Sequence, residues 1–125
     1  MNILGIHGGI TLSQHDAAAA LIVDGSLVCC IEEERLNRVK NPMGVLPVQS
    51  IRACLKEGNL SINDIDLIIT PGETYNDIIP RTKEWITHQF GYSPNIKAMN
   101  HQTAHIASSF FQSGFDEAMC LSYDA

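Results

Sequence analysis

Positive charge is scarce in this chain, which has eight lysines and arginines against fourteen aspartates and glutamates and a formal net charge of −6. A surface of this sign repels phosphate backbones and anionic headgroups, which argues against nonspecific binding to nucleic acid or to a membrane surface. Long apolar runs are also missing, since no segment approaches the roughly 20 apolar residues that span a bilayer. The first residues lack the basic start and the apolar stretch of a signal peptide. We therefore expect a cytoplasmic protein that has no nucleic-acid or membrane partner.

Only four cysteines are present, and no two of them have the C-x-x-C spacing of a metal or redox site. We interpret Cys29, Cys30, Cys54 and Cys120 as small, buried or half-buried side chains in a reducing compartment. The length of 125 residues, of which 45% are hydrophobic, is typical of one globular domain with a single core.

The hydrophobic pattern predicts alternating strands and helices. Asp24-Gly25 is a hairpin signal because both residues tolerate positive φ, and Pro47 is well placed to open a helix. The predicted strands cover residues 2–7, 17–23, 27–33, 65–70, 96–99 and 118–123; the predicted helices cover 48–57, 78–90 and 101–111, and a loop covers 35–47. This order predicts an α/β fold, a mixed sheet flanked by helices. It matches half of an actin, sugar-kinase or heat-shock-ATPase domain of the ribonuclease H-like type.

Two histidines, His101 and His105, lie four residues apart near the end of the chain. On a helix these positions share one face, about 5–6 Å apart at Cβ, so both imidazoles can meet one ion. Asp124 follows the last predicted strand and is a candidate third ligand. This donor set favours a transition metal over magnesium. The alternative is that the spacing arises by chance and that one of the two histidines is only a hydrogen-bonded, partly buried side chain. Gln102 stands where a zinc protease would need a glutamate.

Three segments resemble the carbamoyltransferase family, which includes the O-carbamoyltransferases of nodulation-factor and antibiotic biosynthesis. Residues 13–25 resemble the opening of the family, residues 32–40 its acidic-then-basic signature, and residues 100–109 its histidine motif. Two positions depart from the family pattern, because Asn100 replaces a histidine and Ala125 replaces a glycine.

The resemblance implies a reaction and roles for several residues. In this family a C-terminal domain makes carbamoyl-adenylate from carbamoyl phosphate and ATP, and the domain resembled here passes the carbamoyl group to a small-molecule hydroxyl acceptor. His101, His105 and Asp124 match the positions that hold a divalent metal, with iron favoured and zinc or manganese possible, against the phosphate of the intermediate. His15 matches a histidine near the transferred group, where it would serve as the base.

The residues themselves support these roles unevenly. His15 lies in a turn beside Asp16, which either fixes its tautomer or is a solvated neighbour. Arg35, Arg38 and Lys40 can hold phosphate oxygens of the ATP-derived intermediate, since guanidinium groups bind them in two-pronged fashion. The alternative is a solvated cluster that pairs loosely with the acidic residues 32–34.

The resemblance covers only the N-terminal half of the nucleotide-binding domain. We assign residues 1–125 to that half and expect the isolated chain to be inactive, because the rest of the cleft is missing. We expect self-association, such as a homodimer, through surface left exposed at Trp85, Phe110, Phe111 and Phe115. Two alternatives remain: a threonylcarbamoyl transferase acting on tRNA, which the acidic charge disfavours, and a non-catalytic remnant of the fold.

Overall fold

The computed structural model describes residues 1–11 and 14–123. Five strands and four helices follow one another in these residues, together with a 3₁₀ turn at Ile62–Asp64. The strands are β1 (Asn2–His7), β2 (Ala18–Val23), β3 (Ser26–Glu32), β4 (Leu67–Pro71) and β5 (Asn95–Met99). The helices are α1 (Glu33–Asn37), α2 (Val48–Glu57), α3 (Ile78–Phe90) and α4 (His101–Ser113).

The strands form one mixed sheet in the order β3-β2-β1-β4-β5. β1, β2 and β3 are an antiparallel meander, and its second turn is at Asp24-Gly25, where φ is 48° and 83°. β4 pairs parallel with β1, and β5 pairs parallel with β4. The predicted mixed sheet with flanking helices is therefore confirmed.

The core lies on one face of this sheet. Because side chains alternate between the two faces of a strand, Leu4 and Ile6 of β1 point into the core while Gly5 and His7 point to the opposite face. Ile51 of α2 and Ile86 of α3 are fully buried against the core face. The opposite face is only partly covered, since α4 contributes no buried residue.

Helix α1 differs from the sequence prediction, which places a loop over residues 35–47. The helix is only five residues long, and the structure holds it through Glu33, which is 3% exposed. The Glu33 carboxylate accepts hydrogen bonds from the backbone N–H of Gln49 (3.1 Å) and from the N–H and hydroxyl of Ser50 (2.7 and 2.6 Å). It therefore satisfies the free N–H groups at the start of α2, where the helix dipole also favours a negative charge.

The predicted strand over residues 118–123 is wrong, since these residues form no regular structure. A strand needs a neighbour with free N–H and C=O groups, and this segment instead lies beside α4, where the Ser122 hydroxyl donates to Gln102 Oε1. Met119, Leu121 and Tyr123 are consequently almost fully exposed. Asp124, the predicted third metal ligand, lies outside the described residues.

Two further expectations about burial need correction, since Trp85 and Phe110 are half-buried and not exposed. Trp85 is half-buried and packs against the core, with its ring 6.4 Å from that of Phe90, so it is not part of an exposed surface. Phe111 and Phe115 are exposed as expected, and self-association through them stays a prediction. In the stretches 1–11 and 14–123, no helix is long and apolar enough to cross a membrane.

The cysteines also differ from the expectation in part. Cys54 is buried and Cys29 is half-buried, as predicted, whereas Cys30 and Cys120 are exposed. Burial, with a smaller contribution from Cys29, raises the pKa of the Cys54 thiol to about 12. This thiol is therefore protonated and unreactive at neutral pH.

We predict that Glu33→Gln lowers the free energy of unfolding by about 1–3 kcal/mol, because the amide replaces a buried acceptor that satisfies three donors. Urea unfolding followed by circular dichroism measures this change. Glu32→Gln is the matched control, since Glu32 is exposed, and should stay within about 0.5 kcal/mol of the parent chain. Equal effects of the two substitutions would contradict this role of Glu33.

Candidate functional site

Three parallel strands bring the candidate residues to one edge of the sheet. β1, β4 and β5 all end at this edge, and ligands in open α/β sheets bind outside the carboxyl ends of strands. His7 is the last residue of β1, and His101 starts α4 directly after β5. A cleft of about 630 Å³ opens there, and five of its lining residues carry titratable groups suited to chemistry: His7, His15, Asp16, His101 and His105.

The histidine pair lies on one face of α4, as the spacing predicts. The Nε2 atoms of His101 and His105 are 3.1 Å apart, and the two rings are nearly perpendicular. Asn100 begins the helix, because its side-chain oxygen accepts a hydrogen bond from the Thr103 N–H at 3.2 Å. Asparagine is among the best residues at this position. The departure from the family pattern at Asn100 thus supports the helix that presents the pair.

The pair has a geometry that fits one metal ion. Two nitrogens bound at about 2.0–2.1 Å to one ion lie roughly 2.8–3.4 Å apart when their angle is between about 90° and 109°. The observed 3.1 Å falls within this range, and it is also the distance of an N–H···N hydrogen bond between the two rings. Among the described residues, no three histidines, cysteines, aspartates or glutamates form a group that could hold a metal. This part of the chain therefore offers two imidazole donors, and a metal bound there would need further ligands from other residues or from solvent.

His15 faces the same cleft on the loop between β1 and β2. Its Nδ1 lies 2.6 Å from Asp16 Oδ2, and both side chains are more than half exposed. When Nδ1 carries the proton toward this carboxylate, Nε2 presents a free lone pair. The contact with Asp16 favours this tautomer, but both side chains are also solvated, so the role of His15 as a base stays a prediction.

His7 belongs to the cleft, although the sequence analysis does not single it out. Burial lowers the pKa of the His7 imidazole, and the nearby histidines His101 and His15 lower it further. A hydrogen bond to the His15 backbone and the charge of Asp16 act in the opposite direction. The sequence signal is its position, since His7 ends the central strand directly before a glycine turn.

This turn brings the loop close to the strand. Gly8 has φ of 106°, and a Cβ at this position would lie 2.5 Å from Ala17 Cα. Only glycine combines this conformation with so close an approach. The turn therefore allows the loop that carries His15 to fold back toward His7.

The predicted phosphate-binding residues lie elsewhere in the described part of the chain. Arg35, Arg38 and Lys40 follow β3, and none of the three lines the histidine cleft. The Arg35 guanidinium donates to Glu32 Oε2 at 3.2 Å and lies 3.8 Å from Glu34 Oε1. These are the loose surface pairs of the alternative interpretation, and a phosphate-binding role for the three residues stays a prediction.

Similar structures agree with the fold. YeaZ from Pseudomonas aeruginosa superposes with a TM-score of 0.53 and 14% identity, over 91% of this chain and 52% of that one. This likeness concerns the fold alone, which is that of the actin-like class.

Similar sequences identify the family. An uncharacterised protein of Synechocystis is 30% identical over 93% of this chain, and nodulation protein NolNO of Sinorhizobium fredii is 28% identical over 99% of it. Nodulation protein U of Sinorhizobium fredii is 26% identical over 93%. The chain spans about a quarter of the length of these relatives. The family model described as carbamoyltransferase N-terminus matches residues 3–90, and the chain therefore belongs to this carbamoyltransferase family.

Proposed function

We propose that this chain supplies the transfer site of an O-carbamoyltransferase. The observation that carries the proposal is that His101 and His105, whose Nε2 atoms lie 3.1 Å apart, share one cleft with His15, whose Nδ1 contacts Asp16. Family membership indicates the group that is transferred. The donor is carbamoyl-adenylate, made from carbamoyl phosphate and ATP by the part of the protein that follows this domain in the family. The acceptor is the hydroxyl group of a small molecule.

The transfer step follows from the chemistry of the donor. The acceptor oxygen attacks the carbonyl carbon of carbamoyl-adenylate, and the bond between that carbon and the phosphate oxygen breaks. AMP leaves with the electron pair of this bond, and the carbamate ester of the acceptor forms. The hydroxyl proton passes to Nε2 of His15, while Asp16 holds Nδ1 and stabilises the imidazolium.

His101 and His105 are the residues that would hold a divalent ion, with Asp124 proposed as the third ligand. Iron is favoured over zinc and manganese. When bound, such an ion neutralises charge on the phosphate and so improves AMP as a leaving group. Helix α4 would keep both imidazoles on the cleft side. The Asn100 side chain stabilises the first turn of this helix by capping it.

Metal and nucleotide binding test this assignment on the chain itself. We predict that anaerobic titration with ferrous ion, and then with zinc, shows one site, and that AMP binds to the loaded chain more tightly than to the metal-free chain. Loss of a residue that only supports a metal ligand lowers metal affinity about 10–100-fold. We expect His101→Ala, which removes a proposed ligand itself, to lower the affinity by at least this factor. Isothermal titration calorimetry measures both events.

His88→Ala is the matched control, since His88 is exposed on α3 and lies outside the cleft. It should bind metal and AMP like the parent chain. An unchanged metal affinity of His101→Ala, or an AMP affinity that is the same with and without metal, would contradict the proposed site.

The burial of His7 makes stability depend on pH. Its pKa is lowered in the folded chain, so below about pH 6.5 the unfolded chain binds more protons and the free energy of unfolding falls. We predict that His7→Gln reduces this fall, which for one group cannot exceed about 1.4 kcal/mol per pH unit. Urea unfolding between pH 7 and 5, with a chelator present, measures the slope. An unchanged slope in His7→Gln, or the same change in His88→Gln, would contradict this prediction.

A further inference from the structure

The contact between His15 and Asp16 depends on an unusual backbone conformation. The two side chains belong to consecutive residues, and Asp16 has φ of 56°, in the left-handed region that residues other than glycine rarely adopt. Such a conformation persists only where the surrounding structure holds it. The interactions on the two sides of this dipeptide therefore decide whether the Asp16 carboxylate reaches the imidazole.

The chain is fixed directly after Asp16. Ala17 is 2% exposed, and its C=O accepts a hydrogen bond from the Glu33 N–H at 2.7 Å. The Ala17 Cα also lies close to Gly8, where a Cβ would come within 2.5 Å of it. This anchor consists of backbone atoms and a buried methyl group, so it does not depend on the side chain that precedes His15.

Gln14 fixes the chain directly before His15. Its side-chain Oε1 accepts hydrogen bonds from the backbone N–H groups of Ile10, at 3.0 Å, and Thr11, at 3.2 Å. Its own N–H donates to the Thr11 C=O at 3.1 Å, and its C=O accepts from the Gly44 N–H at 2.9 Å. Because both side-chain contacts are with donors, the atom that makes them is the amide oxygen. Gln14 is thus tied both to the start of its own loop and to the neighbouring loop.

The side chain of Gln14 is the part of this anchor that a substitution can remove. Ile10 is 9% exposed, so its N–H needs a partner within the protein. Gln14 supplies that partner from a half-buried position at the wall of the cleft. Leaving a buried N–H unpaired is costly, so loss of the oxygen favours a rearranged loop. Such a rearrangement moves the backbone directly before His15.

We propose that Gln14 is a positioning residue of the transfer site, which holds His15 where Asp16 reaches its Nδ1. Gln14 acts through the backbone and touches no reacting atom. The inference rests on the proposed carbamoyl transfer, in which Nε2 of His15 takes the hydroxyl proton. Only the tautomer with the proton on Nδ1 leaves Nε2 free to accept it. Loss of the Gln14 oxygen should therefore shift the imidazole toward the other neutral tautomer.

Nitrogen NMR of the imidazoles tests this inference on the isolated, metal-free chain. At about pH 8.5, two units above the ordinary histidine pKa, it gives the ratio of the two neutral tautomers for each ring. Gln14→Met keeps the length of the side chain but removes the acceptor. We expect it to lower the ratio of Nδ1–H to Nε2–H at His15 about threefold or more, the effect of losing hydrogen bonds of ordinary strength.

Gln14→Glu is the conservative variant, because a carboxylate accepts the same two hydrogen bonds. It should keep the His15 ratio within about twofold of that in the parent chain. If Gln14 only stabilised the loop, Gln14→Met would change urea unfolding but not the tautomer ratio of the folded chain. This rescue and the tautomer ratio therefore separate positioning from stability.

Gln112→Met is the matched control, since Gln112 is exposed on α4 and does not line the cleft. It should leave the His15 ratio unchanged. Amide signals of β4 and α3 show whether each variant is folded. If Gln14→Met does not fold, Gln14→Asn takes its place, because its amide is one methylene shorter and loses the reach to the loop.

Three results would overturn the proposal: a His15 ratio that the folded Gln14 variants leave unchanged, the same fall in Gln112→Met, or no rescue by Gln14→Glu. If metal and AMP bind while the His15 ratio does not respond to Gln14, only this inference is wrong. If the ratio responds to Gln14 while metal and AMP fail to bind, the carbamoyl-transfer assignment is wrong.

Discussion

The parallel pairing of β1 with β4 and of β4 with β5 is the constraint on which the site depends. Parallel strands end at the same edge of a sheet, so His7 after β1 and the start of α4 after β5 meet there, although more than ninety residues separate them. The fully buried Leu4 and Ile68 sit on neighbouring strands of this pairing and anchor it in the core. A substitution that weakens this strand pairing would therefore move the histidines apart, although every histidine itself is unchanged.

Local signals predicted most of the fold. Asp24-Gly25 and the alternating apolar residues of β1 and β2 act over a few residues, so the sequence shows them directly. Helix α1 escaped prediction because Glu33 holds it through donors sixteen and seventeen residues away. The strand expected at 118–123 failed for the opposite reason, since its residues favour β-structure but no neighbouring strand pairs with them.

The candidate site could be predicted where spacing alone sets the geometry. His101 and His105 share one face because they are four apart on a helix, and their side-chain rotamers then bring the Nε2 atoms to 3.1 Å. The sequence signal for His7 is weaker, because only its position at the end of β1 before a glycine turn marks it, and its place in the cleft depends on how the loop turns back at Gly8. Arg35 was predicted from residue type, yet its guanidinium pairs with Glu32, and the tertiary structure keeps it away from the cleft.

The proposed site requires that one cleft holds the histidine pair together with His15. Imidazole NMR of the chain loaded with cobalt(II), a paramagnetic substitute for iron or zinc, tests it most directly. We expect the signals of His7 and His15 to shift or broaden together with those of His101 and His105, while the signal of His88 on α3 is much less affected. An unaffected His15 signal in a chain whose histidine pair binds cobalt would contradict the account.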